Sequence, residues 1–567
     1  MSDSNRLKVV LCWHMHQPDY RGPDHGDFQL PWVYLHAIKD YADMASHLEA
    51  NPDAKAVVNF APVLLEQMED YALQINEWLQ RGTLIRDPLL AALAGPGLPA
   101  GQAERRHLVS ACKRANEKQL INRFDTFRHL VEMAGWIDSE AGYSRYFSDQ
   151  YLIDLLMWYH LAWMGEYARE NDLRVISLEH KGEGFDNQDR RRLLEAIGDQ
   201  VSGIIGRYRR LSERGQVELS VTPYAHPILP LLLDLESARE AMPDVVLPKA
   251  PAYPGGESRS RWHIRKGLDV FERHFGFRPT GCWPSEGAVS DETMRLLEEE
   301  GFRWAASGQQ VLHNSLAAVN GEDEIPENWL HQPYRLGEGR LNCFFRDDGL
   351  SDLIGFTYGD WHADDAVANL VQHLETISTA TEGETRRVVS IIMDGENAWE
   401  YFPRNGYYFL ASLYQALSEH PSLELTTFSA VMGAQETVAE SLPKLVAGSW
   451  VYGTLSTWIG DRDKNRAWDM LMEAKKAYDR KLAIGNLNEK MLQELSIQLA
   501  RCEGSDWFWW FGDYNPGDTV SDFEQLFRLQ LTRLYELLEE EPPAYLSKVF
   551  AIGSGDPSLG GVMRQNV

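Results

Sequence analysis

Short apolar runs alternate with longer stretches of helical periodicity over the first three-quarters of the chain. Lys8-Val9-Val10-Leu11-Cys12-Trp13 is a nearly continuous apolar run that ends in polar residues, the pattern of a buried parallel strand. Ala56–Phe60 repeats it. Val217–Val221 gives a third strand, after Gly215, which stops the preceding helix. Further strands are predicted at 281–283, 303–307, Asn342–Phe345, 388–393 and 423–428. Strands separated by helices imply right-handed crossovers and a parallel sheet, open or closed. The spacing is uneven, because 62–214 reads almost wholly as helix and forms an insertion, with Leu93-Ala94-Gly95-Pro96-Gly97-Leu98-Pro99 as a loop inside it. Beyond about residue 430 the strand signal fades. Ala467, Met470, Leu471, Ala474, Tyr478 and Leu482 share one helix face. Phe523, Leu526, Phe527, Leu531, Leu534 and Leu538 share another, behind a Ser521-x-x-Glu524 capping box. The chain therefore divides into 1–430, which carries the strands, and a helical 431–567, with 553–567 read as a loose tail.

Composition narrows the class. At 567 residues the chain exceeds one ordinary core, and 44% hydrophobic with 25% charged residues is a globular balance. A net charge of −29 argues against nucleic acid or an anionic membrane as partner. The five cysteines are scattered, with no C-x-x-C, which excludes a disulfide framework, argues against a thiolate zinc site and fits a reducing compartment. No signal pattern opens the sequence, and the longest apolar stretch, 151–164, is broken by Asp154 and His160. A cytoplasmic protein is expected. The 18 tryptophans fit either a large core or flat faces that stack on sugar rings.

The chemistry is carried by the polar residues just past each strand. The first strand runs into His14-Met15-His16-Gln17-Pro18, and the third into Thr222-Pro223-Tyr224-Ala225-His226-Pro227. Two later ones run into Trp283-Pro284-Ser285-Glu286-Gly287 and Asp394-Gly395-Glu396-Asn397-Ala398-Trp399-Glu400. In parallel α/β folds the C-terminal strand ends share one face, and that face holds the site. His14 and His16 are two residues apart on one strand and point the same way. Such a pair suggests metal, and with His226 and Asp394 it describes a metal-dependent hydrolase of a phosphate or acyl ester. Glu286 reads either as an acid near the start of the helix at Ser290-Asp291-Glu292 or as a side chain presented by a backbone bent between Pro284 and Gly287. Asp394 reads as an Asx turn or as its partner, since glycosidic cleavage needs one carboxylate to attack or activate water and one acid for the leaving oxygen. Two aromatic and polar runs, Trp450-Val-Tyr-Gly-Thr-Leu-Ser-Thr-Trp458-Ile-Gly-Asp461 and Glu503-Gly-Ser-Asp506-Trp-Phe-Trp-Trp-Phe-Gly-Asp513, serve as core or as sugar subsites.

His16-Gln17-Pro18, Val221-Thr222-Pro223 with His226-Pro227, Trp283-Pro284-Ser285-Glu286 and Met393-Asp394-Gly395-Glu396-Asn397-Ala398-Trp399 together resemble the ordered motifs of glycoside hydrolase family 57. The likeness runs from about residue 8 to about 540, with the Trp458 and Ser505-Asp506-Trp507 segments similar to the later motifs. The resemblance implies an α/β fold, an incomplete (β/α)7 barrel followed by a helical domain that completes the cleft. It implies retaining chemistry on an α-glucan or maltooligosaccharide, with Glu286 as nucleophile, Asp394 as general acid/base, and no metal or other cofactor. It suggests that His14, His16, His226 and Asp506 hold sugar hydroxyls, and that Trp283, Trp399, Trp458 and Trp468 wall the substrate. The Asp-Gly-Glu-Asn-Ala-Trp and Ser-Asp-Trp-Phe-Trp-Trp wording is most similar to the α-amylase and amylopullulanase members. The family also holds 4-α-glucanotransferases and branching enzymes, and a glucan-binding protein without turnover is the non-enzymatic alternative.

Overall fold

A computed structural model describes residues 6–22, 26–95, 97–138, 147–326, 328–337, 339–384, 387–433, 439–485, 487–555 and 563–565. One mixed sheet organises the fold. Its strands are β1 (Leu7–Met15), β2 (Ala56–Phe60), β3 (Val217–Val221), β4 (Gly281–Cys282), β5 (Trp304–Ser307), β6 (Tyr334–Leu336), β7 (Asn342–Phe345), β8 (Val388–Asp394), β9 (Leu423–Thr426) and β10 (Glu440–Leu442). They lie in the order β10-β6-β7-β5-β4-β3-β2-β1-β8, with β9 paired to the start of β1. From β7 through β8 every pairing is parallel, and the curled sheet stays open except for a single parallel bridge between Arg346 and Ser390. This is an incomplete barrel of seven parallel strands, as the resemblance implied.

Strand alternation sorts the side chains. On β1, Leu7, Val9, Leu11 and Trp13 pack outward against the helices, while Val10 and Cys12 join Val57, Trp304, Phe344, Val388, Ile392 and Phe428 inside the barrel. His14 continues the inward series from Val10 and Cys12, and Asp394 continues it from Val388 and Ile392. Their Cα atoms pair across β1 and β8. Trp304 plugs the barrel so closely that a Cβ on Gly281 would lie 1.7 Å from its ring, which is why that strand position is glycine.

The eight expected strands all form, each within two residues of its predicted bounds. Two short ones escaped the sequence. β6 runs antiparallel to β7 and β10 joins β6, so the sheet draws a strand from beyond residue 430. Three residues are too few for a periodic signal. The chain between β2 and β3 is helical, from Pro62–Arg81 to Asn187–Glu213. In the 93–99 segment, Leu93 and Ala94 end a helix, Gly95 turns the chain with φ +67°, and Pro96 lies outside the described residues.

The predicted capping box fails. The helix that carries Phe523 to Leu534 begins at Gly517, a turn earlier, because Pro516 already sets an extended backbone before it. Ser521 therefore lies within the helix. Residues 556–562 and 566–567 of the expected tail lie outside the described residues, whereas Arg564 is seated over the rings of Trp509 at 4.5 Å and Tyr514 at 5.1 Å. The five cysteines are all buried and unpaired. Among the described residues no helix is long and apolar enough to cross a membrane.

Candidate active site

The strand ends open into a cleft of about 250 Å³, lined by His14, His16, Glu286, Asp394, Glu396 and Asp506 together with Trp32, Trp450, Trp509 and Trp510. Its floor is a hydrogen-bond chain with one consistent proton arrangement. Asn59 Nδ2 donates to Ser220 Oγ, which turns Asn59 Oδ1 toward His14 Nδ1 at 2.7 Å. His14 Nδ1 thus carries the proton, and its Nε2 accepts from His226 Nε2, 3.1 Å away. His226 Nδ1 in turn accepts from Ser505 Oγ at 2.8 Å. Both rings are neutral. Burial, then the neighbouring His16, lowers the His14 pKa to about 3, and burial with His16 and His14 lowers that of His226 well below its ordinary value. His226 holds its place with a left-handed backbone, φ +57°.

His16 stacks on His226, ring centres 3.7 Å apart, and its Nε2 donates to Asp506 Oδ1 at 2.9 Å. The nitrogens of His14, His16 and His226 lie within 4.8 Å of one another, close enough to consider a metal ion. The geometry favours the hydrogen-bond chain instead. His14 Nε2 and His226 Nε2 already satisfy each other, and the rings of His16 and His226 are within 15° of parallel. Their in-plane lone pairs run side by side rather than converging. Asp394, the fourth ligand of the metal reading, does not belong to this group.

Glu286 sits where β4 ends, on a turn it could hold only under constraint. Its φ is +58°, and Gly287 follows at +57°. The segment after the sheet fixes this turn. Val289 and Gly448 exchange backbone hydrogen bonds, Trp450 N donates to Glu286 O, and Trp450 Nε1 donates to Glu286 Oε2 at 3.1 Å. A Cβ on Gly287 would strike the Trp283 ring at 2.9 Å, so the bend is set by aromatic packing as well. His226 Nδ1 stands 3.7 Å from the other carboxylate oxygen.

The carboxyl groups crowd one another. Burial, then Asp394 and Asp506, pushes Glu286 up to about 8, against the indole donor of Trp450. Burial pushes Asp394 up to about 6, moderated by the Asn397 amide at 2.9 Å, His16 and Arg346. Glu396, two residues on, is raised well above its ordinary value by burial and by the charges of Asp394 and Asp40. Its Oε1 accepts from His16 N and Gln17 Nε2, while its Oε2 is buried without a partner among the described residues. The sequence expectation had a proton on Asp394 and none on Glu286. In the open cleft Glu286 holds its proton more tightly, because its charged neighbours Asp394 and Asp506 are acidic whereas those of Asp394, His16 and Arg346, are basic.

The aromatic wall differs from the predicted one. Trp283, Trp399, Trp458 and Trp468 are fully buried and do not line the cleft. Trp283 packs edge-on behind Trp450 at 5.3 Å, and Trp458 lies behind Trp509 at 6.0 Å. Trp399 Nε1 donates to Gly395 O and its ring meets Trp13. Trp468 Nε1 donates to Trp458 O while its ring stacks on Phe508. They are the layer behind the wall. The wall itself is Trp450, Trp509 and Trp510, from the same two aromatic runs, joined by Trp32, which no motif or periodicity had marked. Glu396 was legible through its two-residue spacing from Asp394. Of the remaining expected residues, His14, His16, Asp506, Glu286 and Asp394 line the cleft, and His226 supports His16 from below.

The profile of glycosyl hydrolase family 57 matches residues 10–443. No curated protein matches closely. Among solved structures, a family 57 branching enzyme from Thermococcus kodakaraensis in complex with glucose is similar, at 18% identity and TM-score 0.55, with 94% of this chain and 88% of that one covered. The α-amylase AmyC from Thermotoga maritima is similar at 14% identity and TM-score 0.56, covering 94% and 93%. A 4-α-glucanotransferase from Thermococcus litoralis is similar at 14% identity and TM-score 0.51, covering 94% and 60%. At these identities the structures speak for the fold alone, whereas the profile spans most of the chain and includes the strands, His14, His16, His226, Glu286 and Asp394. The chain is a member of glycosyl hydrolase family 57.

Proposed function

We propose that this protein is a retaining, α-glucan-active enzyme that cleaves α-1,4 linkages, with α-1,6 linkages as a second candidate, through a covalent glycosyl-enzyme. The supporting observation is the meeting of Glu286 from the end of β4 and Asp394 from the end of β8 in one tryptophan-walled cleft. Glu286 attacks the anomeric carbon, and Asp394 protonates the departing oxygen, then deprotonates the incoming hydroxyl. The reactive state, with Glu286 ionised and Asp394 protonated, differs from the resting one by a proton exchange within the carboxyl group cluster, with no net uptake from solvent. Trp450 Nε1 steadies the ionised form of Glu286. His16, held by Asp506 and stacked on neutral His226, lines the cleft where the hydroxyls of the reacting sugar would lie. Residues 1–430 form the catalytic unit in this reading, and 431–567 supplies the Trp450 and Trp509–Trp510 wall. No metal or other cofactor takes part.

Hydrolysis of the α-amylase or amylopullulanase type is the leading reading. Transglycosylation, as in a 4-α-glucanotransferase or branching enzyme, is the second, favoured by the names of two of the similar structures and by a cleft whose aromatic wall would equally seat an acceptor sugar. Incubation with maltooligosaccharides and pullulan, with products resolved by size and by anomeric NMR, tests both. First-formed α-anomers support retention, and β-anomers overturn it. Products longer than the substrate identify transfer.

A further inference from the structure

The helical turn Trp32–His36 presents one face to the cleft, so that Trp32 and His36, four residues apart, both line it. This turn continues through a π turn, Ala37–Tyr41, into the helix Ala42–Ala50, with Ala42 N donating to Ala37 O. Single π turns inside a helix collect at functional sites. His36 stands just before the π turn and Asp40 within it. His36 Nδ1 lies 2.6 Å from Asp40 Oδ2. The other Asp40 oxygen accepts from Lys39 Nζ at 2.7 Å, and Lys39 Nζ also donates to Asn405 Oδ1 at 3.0 Å. Asp40 is fully buried and Lys39 nearly so. In that ion pair the carboxylate can only accept, so the proton it shares with the imidazole sits on His36 Nδ1. The ring is therefore fixed from behind. Its Nε2 has no hydrogen-bond partner among the described residues, and it is not sealed off as both ring nitrogens of His47 are. The 6% of His36 that remains exposed opens on the cleft the residue lines.

An indole and an oriented, unpaired imidazole nitrogen on one helix face suit a ring that is apolar on its faces and hydroxylated at its edge. We propose that His36 is a substrate-binding residue, whose Nε2, aimed by Asp40, hydrogen-bonds a hydroxyl of a glucosyl unit lying against Trp32. A sugar hydroxyl both donates and accepts, so the contact serves either protonation state of the ring. The proposal rests on the α-glucan reading above and adds to it a contact from a segment outside the strand ends.

The test is isothermal titration with maltoheptaose in a Glu286→Gln background, where no glycosyl-enzyme forms, with circular dichroism verifying each fold. Two substitutions divide the functions of the ring. His36→Asn keeps a donor where Nδ1 meets Asp40 and removes the nitrogen that faces the cleft. His36→Gln places its amide where Nε2 stood and gives up the bond to Asp40. His36→Asn should bind roughly three- to tenfold more weakly than the background, the worth of one hydrogen bond, and His36→Gln should stay closer to it. With Glu286 restored, His36→Asn should raise KM more than it lowers kcat, as loss of a binding contact does. A folded His36→Asn that binds like the background overturns the proposal and leaves the α-glucan reading standing. So does the reverse order, with His36→Gln the weaker binder, which is what a histidine that only braces the helix through Asp40 would give. If His36→Gln does not fold, His36→Asn decides alone, and if His36→Asn does not fold, His36→Ala takes its place with the same expected loss. A background protein that binds no maltoheptaose, together with a wild type that turns over no α-glucan, overturns both readings.

Discussion

Glu503 and Glu286 are both carboxylates taken out of water, and the protein treats them in opposite ways. Glu503 is clasped by Arg259 through Nε at 2.9 Å and Nη2 at 2.6 Å, by His263 Nε2 at 2.7 Å, and by the Tyr253 hydroxyl. Burial alone would raise its pKa, but the Arg259 charge and the His263 hydrogen bond prevail and hold it near 2. It fastens the helix Gly256–Phe275, which packs on the barrel, to the C-terminal helices. Glu286 has one indole donor, two acidic neighbours and an open cleft in front of it, and it rises to about 8. A buried carboxylate with every lone pair engaged is a rivet. One left short of donors beside a cavity is a group reserved for chemistry.

Removing each side chain should therefore damage different things. The largest effect falls on turnover, where Glu286→Ala or Asp394→Ala is expected to lower kcat by roughly 10⁴-fold while the fold survives. Activity assays beside urea unfolding curves check this. Loss of Glu503 should appear in the unfolding curve instead. Glu503→Ala strands Arg259 and His263 and is expected to cost about 3–5 kcal/mol.

The pH dependence of stability sharpens the contrast, because the two shifts have opposite signs. The lowered Glu503 contributes stability above about 4.5 that is lost as the pH falls toward 2, so the deficit of Glu503→Gln should shrink over that window. The raised Glu286 is penalised as the pH rises from 4.5 to about 8. Glu286→Gln should thus gain on the wild type through that window, by up to about 5 kcal/mol, and level off above it. A Glu286→Gln curve parallel to wild type from pH 4.5 to 8 would deny the crowding of carboxyl groups. The smallest expected effect is that of Trp450→Phe. It removes the donor to Glu286 Oε2, should move the acid limb of the pH–rate profile upward by about half a unit, and should lower kcat/KM by roughly fivefold.

Much of this arrangement was legible in the sequence. The apolar runs placed eight strands, and the polar residues just past them named His14, His16, Glu286 and Asp394, because in a parallel barrel inward positions at the C-terminal ends have one destination. Which tryptophan of each run faces the cleft was not legible. Trp283 and Trp450, or Trp458 and Trp509, pack as pairs across the chain, and composition does not tell front from back. Ser505 and Asn59 were equally hidden, since a serine or asparagine completes a histidine chain only once distant segments meet. Strands of three residues, β6 and β10, depend on their neighbours for register and have no pattern of their own.

The roles of Glu286 and Asp394 are separated most directly by azide rescue, with an α-glucosyl substrate that carries an activated leaving group. In Glu286→Ala a small anion can occupy the vacated space and attack the anomeric carbon from the nucleophile's side, giving a glucosyl azide of inverted, β configuration by NMR. In Asp394→Ala the glycosyl-enzyme still forms, and azide opens it from the opposite face to give the retained, α product. Those two products, one from each variant, are the result expected here. Exchange of the two configurations between the variants would reverse the assignments, and no azide adduct from either, with turnover of Glu286→Ala close to wild type, would contradict the double-displacement mechanism itself.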